Sequence, residues 1–173
     1  IQDQYAILSG YVVSMLVTPT FFCTIIYRLY LPIATDDLYY HKSNTFLHLL
    51  YALLICFLIG LPFTLIFYFF PKRSLMILYN TTSGYQQLKY MSFPFLLFYL
   101  QTPLSTILQA KNKNKVMFII SMIECTLEII LTYTLSHYLY VNAILISLFT
   151  GLITTLILSA IYCFKIIKDT SLS

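Results

Sequence analysis

Two acids, Glu124 and Glu128, stand four residues apart inside the apolar run MFIISMIECTLEIILTY, residues 117–133. On a helix, residues i, i+3, i+4 and i+7 share one face. Ser121, Glu124, Cys125, Glu128 and Thr132 would then form one polar stripe on an otherwise apolar helix. A carboxylate at mid-membrane costs on the order of 3 kcal/mol. Two facing lipid would cost about 5–7 kcal/mol, so both acids are expected to point into protein or water. Like charges four apart repel, and at least one of the pair is expected to carry a proton at neutral pH. Two chemistries fit the stripe. One is a hydrogen-bonded packing pair against the fifth or the first helix. The other is a cavity-lining pair that takes up protons or cations during transport.

Other candidates are sparser. Asp36, Asp37 and His41 lie together in TDDLYYHKSN (35–44), with His48 just beyond. Their spacing matches no metal signature, so a solvated loop is expected there and no metal site. Arg28, near one helix end, can snorkel or meet a phosphate-bearing lipid substrate. Gln101, inside a helix, reads as an interhelical hydrogen-bonder or a cavity residue. Asn80-Thr81-Thr82 fits a glycosylation sequon and is read as a loop. The four cysteines are scattered singly, which points to packing against other helices rather than disulfides or metal. No nucleophile–base pair, phosphate loop or zinc motif is present. Neither enzyme chemistry, a cofactor nor a nucleic-acid partner is expected.

The elements that must position these residues follow from composition. The chain is 60% hydrophobic and 9% charged, with a mean hydropathy of +0.83. Soluble domains carry about 25% charged residues. An all-α integral membrane protein is expected: a single domain over 1–173, built as a bundle of five transmembrane helices. Runs of about 20 apolar residues are needed to span, and five occur, near 5–31, 46–70, 86–109, 116–137 and 141–164. They are too long, and too evenly apolar, for strands of a membrane barrel. Tyrosines cluster near their ends, as interfacial anchors do.

Seven of the ten basic residues (Arg28, Lys42, Lys111, Lys113, Lys115, Lys165, Lys168) fall on one side; Lys72, Arg73 and Lys89 fall on the other. The positive-inside rule then places the N-terminus outside and the C-terminus in the cytoplasm. The KNKNK loop (111–115) would be a topology signal that also meets anionic lipid headgroups. An outside N-terminus starting at Ile1 suggests upstream helices. Pro19, Pro62, Pro94 and Pro103 fall within spans and are expected to bend them. Small residues four apart, Gly10/Ser14/Thr18 and Ser147/Gly151/Thr155, are expected to pack closely against neighbours. Heavy use of Ile, Tyr, Phe, Lys and Asn suggests an AT-rich bacterial genome.

The stretch GYVVSMLVTPTFFCTIIYRLYLPIA (10–34) has a mid-helix proline and a second one opening Pro-Ile-Ala, and TPLSTILQAKNK (102–113) closes the third helix. Together they resemble the second lobe of polysaccharide and lipid-linked-oligosaccharide flippases. The resemblance, over roughly 5–165, is closest to the stage V sporulation protein B branch. That branch belongs to the superfamily that also holds multidrug exporters. It implies a two-lobe transporter of about twelve or more helices. These five would be helices eight to twelve, and the N-terminal lobe of the same chain would be missing. It further implies a multi-pass protein of the bacterial cytoplasmic membrane. Its partners would be membrane lipid and a lipid-linked sugar precursor for cell-envelope polysaccharide or peptidoglycan, moved by alternating access. Glu128 stands where the family often has a basic residue, and the tail lacks two helices found in some members. Two alternatives remain: a cation-coupled multidrug exporter, and a non-transport scaffold or enzyme subunit of envelope synthesis.

Overall fold

The computed structural model of the chain describes residues 6–40, 44–139 and 141–172. Every regular element among them is helical. A π-helical stretch, Leu8–Val13, leads into α1 (Ser14–Val17) and, after a turn at Thr18–Pro19, into α2 (Thr20–Tyr39). Then come α3 (Thr45–Phe69), a short α4 (Pro71–Tyr79), α5 (Tyr85–Ala110), α6 (Asn114–Leu139) and α7 (Val141–Leu172). Among the described residues five helical segments are long and apolar enough to cross a membrane: Gly10–Tyr39, Thr45–Phe69, Tyr85–Ala110, Asn114–His137 and Asn142–Asp169. The protein is a multi-pass membrane protein.

The first span is the one that breaks at a proline. Pro19 has no N–H to continue the ladder, and the backbone tightens around it. Thr18 N donates to Met15 O at 3.3 Å, Phe21 N to Thr18 O at 3.2 Å and Phe22 N to Pro19 O at 3.1 Å. Side chains serve the carbonyls around the break. Thr18 Oγ1 donates to Ser14 O at 3.0 Å and Thr20 Oγ1 to Val17 O at 2.6 Å. From across the bundle, the Tyr99 hydroxyl donates to Leu16 O at 2.7 Å. Irregular backbone at membrane depth persists where protein satisfies it, and Tyr99 does so from a position only 1% exposed. The other prolines within spans do not stop their helices: α2 runs unbroken through Pro32, α3 through Pro62, and α5 through Pro94 and Pro103.

Turn chemistry fixes the connections. Pro71 opens α4 as its first residue, where a missing N–H is harmless, and Asn80 closes it in the left-handed region at φ 52°. Gly84, at φ 87°, starts α5. After α5, Lys113 N donates to Leu108 O and Asn112 N to Gln109 O, each at 2.8 Å, with Asn112 at φ 56°. These paired bonds form a Schellman stop and turn the chain straight into α6.

Helix α5 is the hub. It packs against α2, α3 and α7, whereas α6 lies almost wholly on α7 at the edge of the bundle. Three apolar clusters are stacked through the membrane. One gathers Leu8, Val12, Met15, Leu88, Met91 and Phe95 near the α4 end. A middle one joins Cys23, Cys56 and Tyr99. The third gathers Tyr30, Ala34, Leu49, Ile107, Ile120 and Cys163 near the opposite end.

Four expectations are corrected. The TDDLYY segment is not a solvated loop: α2 continues through it to Tyr39, and Asp37 is buried. His41, expected beside it, lies outside the described residues. PKRS is not a plain break but the first turn of α4. Its Pro71, Ser74 and Leu75 are buried, so the interface-lying turn gains apolar contact. The Gly10/Ser14/Thr18 stripe is exposed and open, with nothing within 4 Å of a Cβ built on Gly10. The Thr18 hydroxyl instead turns back onto its own helix. Cys23, Cys56 and Cys163 are buried, but Cys125 is exposed because α6 has a single packed face.

Candidate functional site

The two acids of α6 face α7 along a straight seam. Helices α6 and α7 run antiparallel, so stepping four residues up one meets four residues down the other. Thr132 lies opposite Ser147, their hydroxyl oxygens 2.7 Å apart. Ser147 already donates to Ile144 O at 2.9 Å, which leaves Thr132 as the donor across the interface. One step along, Glu128 covers Gly151: a Cβ built on Gly151 would lie 2.6 Å from Glu128 Oε1 and 3.0 Å from its Cγ. At the next step the Glu124 carboxyl lies beside Thr155. The Thr155 hydroxyl also lies 3.0 Å from the Gly151 carbonyl. Ser147, Gly151 and Thr155 are buried, and Glu124, Glu128 and Thr132 are half-buried. Ser121 and Cys125, expected on the same stripe, are exposed and off the seam.

The chain matches no protein-family model, no curated protein and no solved structure. What the site can do is therefore read from its own arrangement. Among the described residues neither glutamate has a cationic partner, and no group of His, Cys, Asp and Glu is gathered to hold a metal. The seam is a ladder of hydroxyls and carboxyls closed by a glycine. Each interhelical hydrogen bond of this kind contributes about 0.6 kcal/mol, at most about 1.7.

The remaining expected residues are not brought to this seam. Arg28 is exposed on α2, and Gln101 is half-buried on α5 with no side-chain hydrogen bond to a described residue. Pro19 and Pro103 are buried, Pro94 is half-buried and Pro62 is exposed.

Two groups are placed in a way the sequence reading did not expect, although Asp37 and His48 were noted there. Asp37, only 1% exposed, hydrogen-bonds His48 Nδ1 across the α2–α3 corner. Two ionisable residues straddling a short interhelical connection were the available signal, but burial was needed to reveal the pair. Near it, a cavity of about 310 Å³ opens between α2 and α3, lined by Ile26, Leu29, Tyr30, Ile33, His48 and Tyr51 among others. Among the described residues the Tyr30 hydroxyl, 6% exposed as a residue, has no hydrogen-bond partner. Tyr99 is the second group. Its mid-helix position, unlike the interfacial tyrosines, was a sequence signal that its hydroxyl needs a partner inside the membrane.

Proposed function

We propose that this chain is one lobe of a flippase that carries a lipid-linked sugar precursor across the cytoplasmic membrane by alternating access, without covalent change to its cargo. The observation that carries the reading is the discontinuous first span. A π-helical entry, a proline turn and a carbonyl capped by a tyrosine from the hub helix make a hinge inside the membrane. Broken spans of this kind are where transporters bind and rock. Helix α6, with nearly all of its surface outside the bundle's core, offers a face for a second lobe. On this reading Arg28 is available to a phosphate-bearing headgroup, and the Glu124–Glu128 seam clamps α6 to α7 as a unit.

A non-transport scaffold role is the second reading, favoured by the closed seam, which leaves the two acids engaged by Thr155 and Gly151. One experiment separates the two. The protein, with whatever chain accompanies it in its host, is reconstituted into vesicles holding a fluorescent lipid-linked sugar in both leaflets. A membrane-impermeant quencher then reads exchange between leaflets. Exchange that goes to completion, and slows in Pro19→Ala, supports the flippase. Protection of half the fluorescence throughout, as in empty vesicles, ends it.

A further inference from the structure

Lys72 and Arg73 are adjacent in the sequence and Lys89 lies 16 residues on, in a different helix, and the fold gathers all three at one pocket. The end of α3, the first turn of α4 and the first turn of α5 converge there around a cavity of about 450 Å³. Its wall is aromatic as well as basic: Tyr68, Phe69, Phe70 and Tyr85 complete it together with Pro71. Lys72 Nζ lies 4.5 Å from the centre of the Tyr85 ring, and Lys89 Nζ lies 5.1 Å from that of Tyr68. Among the described residues no carboxylate pairs with any of the three cations. The described acids sit elsewhere, on α2, mid-way along α6 and at the end of α7. Two helix starts, those of α4 and α5, add the partial positive charge of their N-termini.

The pocket's depth selects the kind of anion. Helix α3 has 25 residues, roughly 37 Å at ~1.5 Å per residue. That exceeds the ~30 Å hydrocarbon core, so the pocket after its last turn lies at headgroup level. Phe69 and Phe70 are well exposed beside the cations, so a tail alongside the phosphate would cover them. A free phosphate ion would satisfy the charge and leave the aromatic rim bare. We infer that this pocket seats the phosphate of an anionic bilayer phospholipid, with the lysines leaving their tyrosine rings to hold it and the lipid's chains lying along Phe69 and Phe70. The proposal does not depend on the transport reading.

The test uses the full chain purified in neutral detergent. It is offered equal amounts of phosphatidylglycerol and phosphatidylcholine with the same chains, and the lipid it retains is counted by native mass spectrometry. The expected result is retention of phosphatidylglycerol over phosphatidylcholine by tenfold or more. Each of Lys72→Ala, Arg73→Ala and Lys89→Ala should weaken phosphatidylglycerol retention about fivefold, and the triple variant should retain the two lipids equally. Lys72→Arg with Lys89→Arg should keep the preference, as should the triple Lys111→Ala, Lys113→Ala, Lys115→Ala at the opposite end. Equal retention of the two lipids, an undiminished preference in the Lys72/Arg73/Lys89 triple, or loss of preference in the Lys111/Lys113/Lys115 triple would overturn the proposal. So would displacement of phosphatidylglycerol by millimolar inorganic phosphate, which would make the ligand a free anion.

Discussion

Two glycines in this bundle each receive a large side chain from a neighbouring helix, and the two contacts differ in almost every other respect. Gly60 on α3 receives the ring of Tyr99, with Leu96 Cδ1 also only 3.2 Å from a built Cβ. Gly151 on α7 receives the carboxyl of Glu128. The first contact lies at the hub, where the ring is buried and its hydroxyl is pinned to Leu16 O. The second lies at the edge, where Glu128 is half-buried and its chain can rotate. A pinned ring cannot move aside for an added methyl, whereas a glutamate can. The hub contact therefore fixes the shape of the protein, and the edge contact adjusts how one hairpin rides on it.

The largest effect should come from breaking the hub. Gly60→Ala puts a Cβ into the Tyr99 ring, and overpacking of a dense core costs about 1–3 kcal/mol. The upper end, about 3 kcal/mol, is expected here, read as loss of reversible unfolding stability in mixed micelles. If Gly60→Ala costs no more than Gly151→Ala, the distinction between hub and edge is wrong. Tyr99→Phe comes next. It keeps the ring against Gly60 but leaves Leu16 O without its donor beside the Pro19 break. A buried carbonyl left unsatisfied costs about 1–3 kcal/mol, and about 1.5 is expected from the same unfolding measurement. Faster backbone amide exchange confined to residues around 16–20 would show that the loss is local to the break.

How much of this was legible in the sequence depends on whether an element is set by its own residues or by its neighbours. The five spans were legible because twenty apolar residues in a row have few other fates. The Ser147/Gly151/Thr155 stripe and the Glu124/Glu128/Thr132 stripe were each legible from helical spacing. Their meeting was narrowed only to the fifth or the first helix, because register between helices is set by packing that spacing alone does not carry. Similar small-residue spacing at Gly10/Ser14/Thr18 gave the same expectation and a different outcome, an open face. Asp37 was read as solvated because its spacing with Asp36, His41 and His48 matches no metal signature and the first span was expected to end near residue 31. The helix tolerates Pro32, carries Asp37 to the α3 corner and buries it against His48. The basic pocket was hidden for the same reason: Lys72 and Lys89 become neighbours only once α4 folds the chain back.

At the edge the expected effects are smaller. Gly151→Ala should cost about 1 kcal/mol, at the low end for overpacking, since Glu128 can swing away from the new methyl. A double-mutant cycle with Glu128→Ala checks the cause: removing the carboxylate should recover most of the loss, because residues in direct contact couple. Additive losses would mean that the strain lies elsewhere on α7.

The smallest effect is expected from neutralising the acids themselves. Glu124→Gln and Glu128→Gln keep the length of each side chain and supply both a donor and an acceptor. Thr155 keeps its bond to Gly151 O, and the contact over Gly151 keeps its shape. What is lost is the capacity to exchange a proton. A seam whose purpose is packing should barely notice, so the double variant is expected to stay within about 0.5 kcal/mol of the parent in unfolding stability. It should also exchange lipid-linked sugar between leaflets at the parent rate. The other outcome is informative in a specific way. Parental stability with exchange abolished would mean that the carboxyls work by titrating, and the edge of the bundle would then be its moving part, with the hub as the frame against which it moves.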